Sequence, residues 1–170
     1  KSQSGLTQAE GIKALGGNPD NIQTAKRNKG ELHAWIELHI EQGGILEREK
    51  IQIGVVEGIV GIVHWEVTGE GFANHAGATP MNMRQDALLA ASKFIIAVNE
   101  VVNSVTGTQV GTVGKIAVQP GAYNVIPGKV VLGLEIRDLN AAKIELLFKE
   151  IEKRAATIAS CASGNPRGML

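Results

Sequence analysis

Two histidines stand where an imidazole could act on a ligand. His39 lies in ELHIEQGG, followed by Glu41, Gln42 and a glycine pair. An imidazole next to carboxylates at a strand end suits zinc. The chain offers it no H-x-x-x-H, C-x-x-C or H-x-D partner. Two readings stay open for His39: a metal ligand completed from elsewhere, or an exposed or otherwise satisfied histidine. His75 lies in GEGFANHAGATPM, among Gly69, Gly71 and Gly77. Glycines there permit positive φ or a close approach of the backbone to a ligand, and Asn74 tolerates unusual dihedrals. A histidine held on such a loop can donate a hydrogen bond to a developing oxyanion. The plainer alternative is a glycine-rich hairpin with an incidental histidine. Asn124 sits in the turn-rich GAYNVIPG, and Arg137 closes the segment LEIRD. A guanidinium can clasp a carboxylate through two parallel hydrogen bonds. The alternative for Arg137 is an ion pair with Asp138 or a helix contact.

These residues need elements to hold them. Thr7 to Glu10 has capping-box spacing, which predicts a helix from Gln8 to about Leu15, stopped by GGNP. A polar loop follows. HAWIELHI alternates apolar and polar positions, which predicts a strand. EQGGILERE reads as a turn and a short helix. IQIGVV and GIVGIVHWEVTGEG read as two strands meeting near Glu57–Gly58, where a domain boundary is expected. Asn82 to Gln85 again has capping-box spacing, and Leu88, Ala91, Ile95, Val98 and Val102 recur at helical intervals. TQVGTVGKIAVQP and KVVLGLEIRD predict strands. Asn140 is expected to cap a last helix carrying Ile144, Leu147, Ile151, Ala155 and Ile158 on one face. The order strand, helix, strand, strand, helix is most of a split β-α-β unit. The fold class is α+β, a ferredoxin-like antiparallel sheet with two helices on one face. A fourth strand belongs after the last helix, and SCASGNPRGML does not read as one.

Bulk properties narrow the function. The chain has 170 residues, which suits one domain or a small domain plus part of another. Lys and Arg total 17 against 17 Asp and Glu, so nothing points to nucleic acid or to an acidic solvating arm. No uninterrupted apolar run reaches membrane-spanning length. Cys161 is the one cysteine, which excludes a disulfide within the chain and points to a reducing, cytoplasmic home.

Taken in order, ELHIEQG, GIVG, NHAGATPM followed by RQDALLAA, GTVGKIAVQPGAYNVIPG and LEIRD resemble a known family. It is the amidohydrolase branch of the dinuclear zinc aminoacylase and carboxypeptidase superfamily. That branch holds N-carbamoyl-L-amino-acid hydrolases, allantoate and ureidoglycolate amidohydrolases and β-alanine synthases. The resemblance implies a two-zinc catalytic domain (Mn or Co can substitute) into which a lid that forms the homodimer contact is inserted. It implies a partial segment of the α/β catalytic domain over 1–57, the lid and dimerisation domain over 58–160, and an irregular tail over 161–170. His39 corresponds to a zinc ligand and Gln42 to a substrate-contacting glutamine. His75 corresponds to the lid histidine that polarises the scissile carbonyl. Asn124 and Arg137 correspond to lid residues that grip the substrate, Arg137 by its carboxylate. Some lid residues of such dimers reach the partner's active site. Departures are expected too. The family's H-x-D and Glu-Glu pairs, one glutamate being the general base, belong upstream of Lys1, and a last ligand histidine belongs beyond Leu170. Gly44 stands where the family has proline. The implied activity is metal-assisted hydrolysis of a linear amide or ureido C–N bond, with the 170 residues alone inactive. The alternative is a non-catalytic dimerisation module, pairing through an edge strand near Gly58–Val67 or Val110–Val118.

Overall fold

The computed structural model describes residues 5–162. It comprises two compact units, divided between Gly54 and Val55.

In the first unit, α1 spans Gln8–Ala14 with the capping box in place. The Thr7 hydroxyl accepts from the Glu10 amide at 3.3 Å, and the Glu10 carboxylate accepts from the Thr7 amide at 2.7 Å. Gly16, at φ +82°, ends the helix in the left-handed conformation that glycine adopts without steric cost. A 3-10 segment covers Pro19–Ala25, where only a polar loop is expected, and α2 covers Ile45–Glu49. Among the described residues of this unit none is buried. HAWIELHI and IQIGVV do not form strands. Alternation places side chains on two faces, but a strand also needs backbone partners, and no described residue supplies them.

The second unit carries the core. Strands β1 (Gly61–Glu70), β2 (Val110–Gln119) and β3 (Lys129–Asp138) form one antiparallel sheet in the order β1-β3-β2. Helix α3 (Ala87–Ser104) connects β1 to β2, and α4 (Ala141–Ala162) follows β3. The central strand alternates strictly. Val130, Leu132, Leu134 and Ile136 are buried at 2% exposure or less, and the intervening residues are half-buried on the other face. Ala91, Phe94, Val98 and Val101 of α3 and Ile144, Leu147 and Ile151 of α4 cover the buried face. Each large aliphatic side chain sealed there contributes about 1.5–3 kcal/mol. Trp65 of β1 stacks on Phe148 of α4 with ring centroids 4.4 Å apart. Helix α3 is long and apolar enough to cross a membrane, yet seven of its side chains are buried in this core.

Two expected helix boundaries differ. Asn82 does not cap α3. Met81–Met83 form a 3-10 turn, Arg84 is extended, and Asp86 caps the helix by accepting from the Leu88 and Leu89 amides at 2.9 and 3.0 Å. The apolar periodicity starts at Ala87, so the cap falls just before it. Helix α4 is capped by Asn140, as its sequence predicts, and runs through Cys161 to Ala162. The rest of the expected tail, 163–170, lies outside the described residues.

Candidate functional site

His75 sits on the loop that leaves β1 at Glu70. The loop is bonded at almost every step. The Gly71 amide donates to Gly128 O at 2.8 Å, and the Phe72 amide to Gln85 O at 2.8 Å. The Ile126 amide donates to Asn74 O at 2.8 Å and the Ala76 amide to Asn124 O at 2.9 Å, flanking a bridge between His75 and Val125. Past the histidine, the Thr79 amide and hydroxyl both donate to His75 O, at 3.1 and 2.8 Å. Backbone hydrogen bonds thus tie this loop to residues 124–128 and to Gln85. None of Gly69, Gly71, Asn74 and Gly77 adopts positive φ. The glycines serve close approach instead. A Cβ on Gly71 would stand 2.2 Å from Gln85 O, and one on Gly77 would stand 3.0 Å from His75 Cε1.

The imidazole has a defined tautomer. The Gly77 and Ala78 amides both donate to His75 Nδ1, each at 3.1 Å. A nitrogen that accepts two N–H groups carries no proton, so in the neutral ring the proton is on Nε2. The side chain is exposed, and Nε2 has no partner among the described residues. His75 thus presents an outward N–H donor from a fixed turn. Asn124 lies on the facing segment. Its backbone is tied to Ala76, and its side-chain amide is exposed and unbonded among the described residues.

Arg137 is elsewhere. It faces Ile62 and Val110, whereas Lys129, at the other end of β3, faces Glu70 and Gln119 beside the His75 loop. Eight residue steps along β3 separate Lys129 from Arg137, roughly 26 Å at about 3.3 Å each. The sheet therefore brings His75 and Asn124 together and holds Arg137 apart. Arg137 Nε donates to Glu135 Oε1 at 2.5 Å, and His64 Nε2 lies 2.5 Å from Glu135 Oε2. Bonding to Arg137, then to His64, holds the Glu135 carboxyl below its usual value, and Glu135 in turn raises Arg137. The expected partner Asp138 points to the buried face, where it pairs with Lys143 at 3.4 Å. Neighbouring strand residues face opposite ways, so the ion pair skips one position. His64 and Glu135 face each other across β1 and β3, a pairing that single-segment patterns do not reveal. Arg84, whose guanidinium bonds to the His75 loop, opens the RQDALLAA stretch, but that motif by itself gives it no role.

His39 and Gln42 belong to the first unit. The exposed His39 ring has Nδ1 2.6 Å from Ile40 O, an arrangement that leaves Nε2 available to a metal. Glu41 is engaged in capping α2, accepting from the Ile45 and Leu46 amides at 2.9 and 3.1 Å. Gln42 takes φ +54°, a left-handed conformation that costs a non-glycine residue roughly 1 kcal/mol or more. Among the described residues no group of three or more His, Cys, Asp or Glu side chains could hold a metal. These residues supply one imidazole, not a metal site.

Several known proteins are similar to this chain. The peptidase dimerisation domain family matches residues 57–160. An N-carbamoyl-L-amino acid amidohydrolase of Geobacillus stearothermophilus is 44% identical over 159 residues, covering 94% of this chain and 39% of that protein. A ureidoglycolate hydrolase of Arabidopsis thaliana is 43% identical over 141 residues, 82% of this chain and 30% of that protein. The crystal structure of AtUAH with (S)-hydroxyglycine superposes with a TM-score of 0.76 at 38% identity, over 94% of this chain and 39% of that one. The chain thus spans about two fifths or less of these relatives' length.

Proposed function

The chain belongs to the peptidase dimerisation domain family, and from that premise we propose that it grips substrate and pairs subunits in a hydrolase of linear ureido or carbamoyl acids. The observation that carries this reading is His75, exposed, with two backbone amides confining its proton to Nε2. When water adds to a carbamoyl carbon, the carbonyl oxygen gains negative charge. A donor already aimed at that oxygen stabilises the transition state without reorganising, an effect of about 10²- to 10³-fold in rate. Asn124, on the segment whose backbone bonds Ala76, is assigned to bond the ureido group through its exposed amide. Arg137, with Nε occupied by Glu135, offers Nη1 and Nη2 end-on to the substrate carboxylate. Gln42 is assigned a substrate contact on the resemblance.

The distance between His75 and Arg137 supports a homodimer. A carbamoyl amino acid is only a few bonds long, so one copy cannot hold it with both residues. Two copies can, one contributing Arg137 and the other His75 and Asn124. Zinc enters this proposal only with ligands outside the described residues, His39 supplying one donor. No step above depends on it. The exposed Cys161 fits a reducing, cytoplasmic setting.

The test exchanges the matching stretch of the Geobacillus stearothermophilus enzyme for this chain and follows ammonia release from N-carbamoyl amino acids, allantoate and ureidoglycolate. Turnover by the graft, lowered about 10²- to 10³-fold by His75→Ala, is expected. An active graft indifferent to His75→Ala would remove the assigned role. A second reading, a dimerisation module without catalysis, draws on the two sheet edges, β1 and β2, which are unpaired among the described residues. A graft that dimerises but turns over none of the substrates would favour it.

A further inference from the structure

The side chain of Arg84 is half-buried, yet among the described residues no carboxylate pairs with it. Its hydrogen bonds go to one place. Nε donates to Thr79 O at 3.1 Å and Nη2 donates to Ala76 O at 2.5 Å. These carbonyls bracket the turn whose Gly77 and Ala78 amides reach His75 Nδ1. The turn is thereby tied on two sides. Residues 124–126 hold its approach through backbone bonds, and Arg84 holds its exit.

We propose that Arg84 is a positioning residue for His75: it clamps the turn that directs the Gly77 and Ala78 amides at Nδ1, and so keeps the outward Nε2 protonated. The clamp uses two donors of one planar group at fixed spacing. Lysine, with a single flexible ammonium, cannot reproduce it. The extended backbone at Arg84 and the 3-10 turn before it follow from the same demand. They return the chain over the loop before α3 begins at Ala87. The functional value of the clamp rests on the oxyanion role given to His75 above, but the clamp itself does not.

The test uses the 170-residue chain with ¹⁵N-labelled histidine, the His75 signals being identified by their loss in His75→Gln. In the wild type the two ring nitrogens should be well separated in shift, with the proton on Nε2. Arg84→Ala and Arg84→Lys should both draw the two shifts together as tautomers mix. They should also speed hydrogen exchange of the Gly77 and Ala78 amides about tenfold, the scale of one net hydrogen bond, with β3 amides unchanged. Unchanged tautomer and exchange in either folded variant would overturn the proposal. So would global unfolding of both, which would make Arg84 a general structural residue. The graft then separates the two readings. If the tautomers mix but kcat holds, the clamp stands and the oxyanion role falls. If kcat falls with KM unchanged, both stand.

Discussion

Around His75, chemistry depends on atoms that are missing from glycine. Gly77 leaves room for the ring beside its own Cα, and a Cβ there would meet Cε1 at 3.0 Å. Gly77→Ala should tilt the imidazole and weaken the amide bonds to Nδ1. The same labelled-histidine spectra would report it, in a protein whose melting temperature moves by only a few degrees. Gly71→Ala is harsher, because its Cβ would collide with the backbone oxygen of Gln85 at 2.2 Å. Backbone cannot rotate away as a side chain can, so a loss of about 1–3 kcal/mol in denaturant unfolding is expected. At the far end of β3, Glu135 gives a pH prediction. Its folded-state pKa lies below the ordinary value of 4.5 because Arg137 and His64 bond the carboxylate. The resulting stabilisation is fully present above that ordinary value and is lost as pH falls through the lowered one. Melting temperature followed from about pH 6 down to about pH 3 should therefore fall more steeply in the wild type than in Glu135→Gln. Equal slopes would show that the cluster adds nothing. The residue types His75, Asn124 and Arg137 could be picked from the chain by chemistry alone. The tautomer of His75, and the carboxylate beside Arg137, could not. Both partners are near in sequence, two or three residues from His75 and two from Arg137. Which atoms come within about 3 Å depends on the folded backbone and rotamers, not on residue type.

Elements obey local rules where their hydrogen bonds are local. Helix α1 and its Thr7–Glu10 capping box follow the sequence pattern closely, as does the Asn140 cap of α4. Helix α3 shows where such rules compete. Asn82 and Asp86 are both suitable caps, and the start of the buried face at Ala87 selects the second. Asp86→Ala should cost about 1 kcal/mol in chemical unfolding. Asn82→Ala should stay within about 0.5 kcal/mol, as for exposed positions without a structural task. A reversal of that order would return the cap to Asn82. HAWIELHI is the opposite case. Its alternation is genuine, but alternation specifies two faces and not a neighbour, and the described residues give it none.

For the molecule as a whole, one sheet face is sealed by two helices, and among the described residues both sheet edges are unpaired. Leu134→Ala, at the centre of the sealed face, should cost about 2–5 kcal/mol and flatten the unfolding transition of the entire second unit. Light scattering on the purified chain should give twice 18.0 kDa, since the proposed division of the substrate between His75 and Arg137 calls for a second copy. A monomer at high concentration would sink the dimer. The split β-α-β order, the helical faces and the two histidines are readable along the chain, because apolar period and residue type are properties of neighbours in sequence. Strand order, the pairing of His64 with Glu135 and the long separation of His75 from Arg137 are not. They arise when segments tens of residues apart share backbone hydrogen bonds and one buried face, and that register exists only once the sheet has closed against its helices.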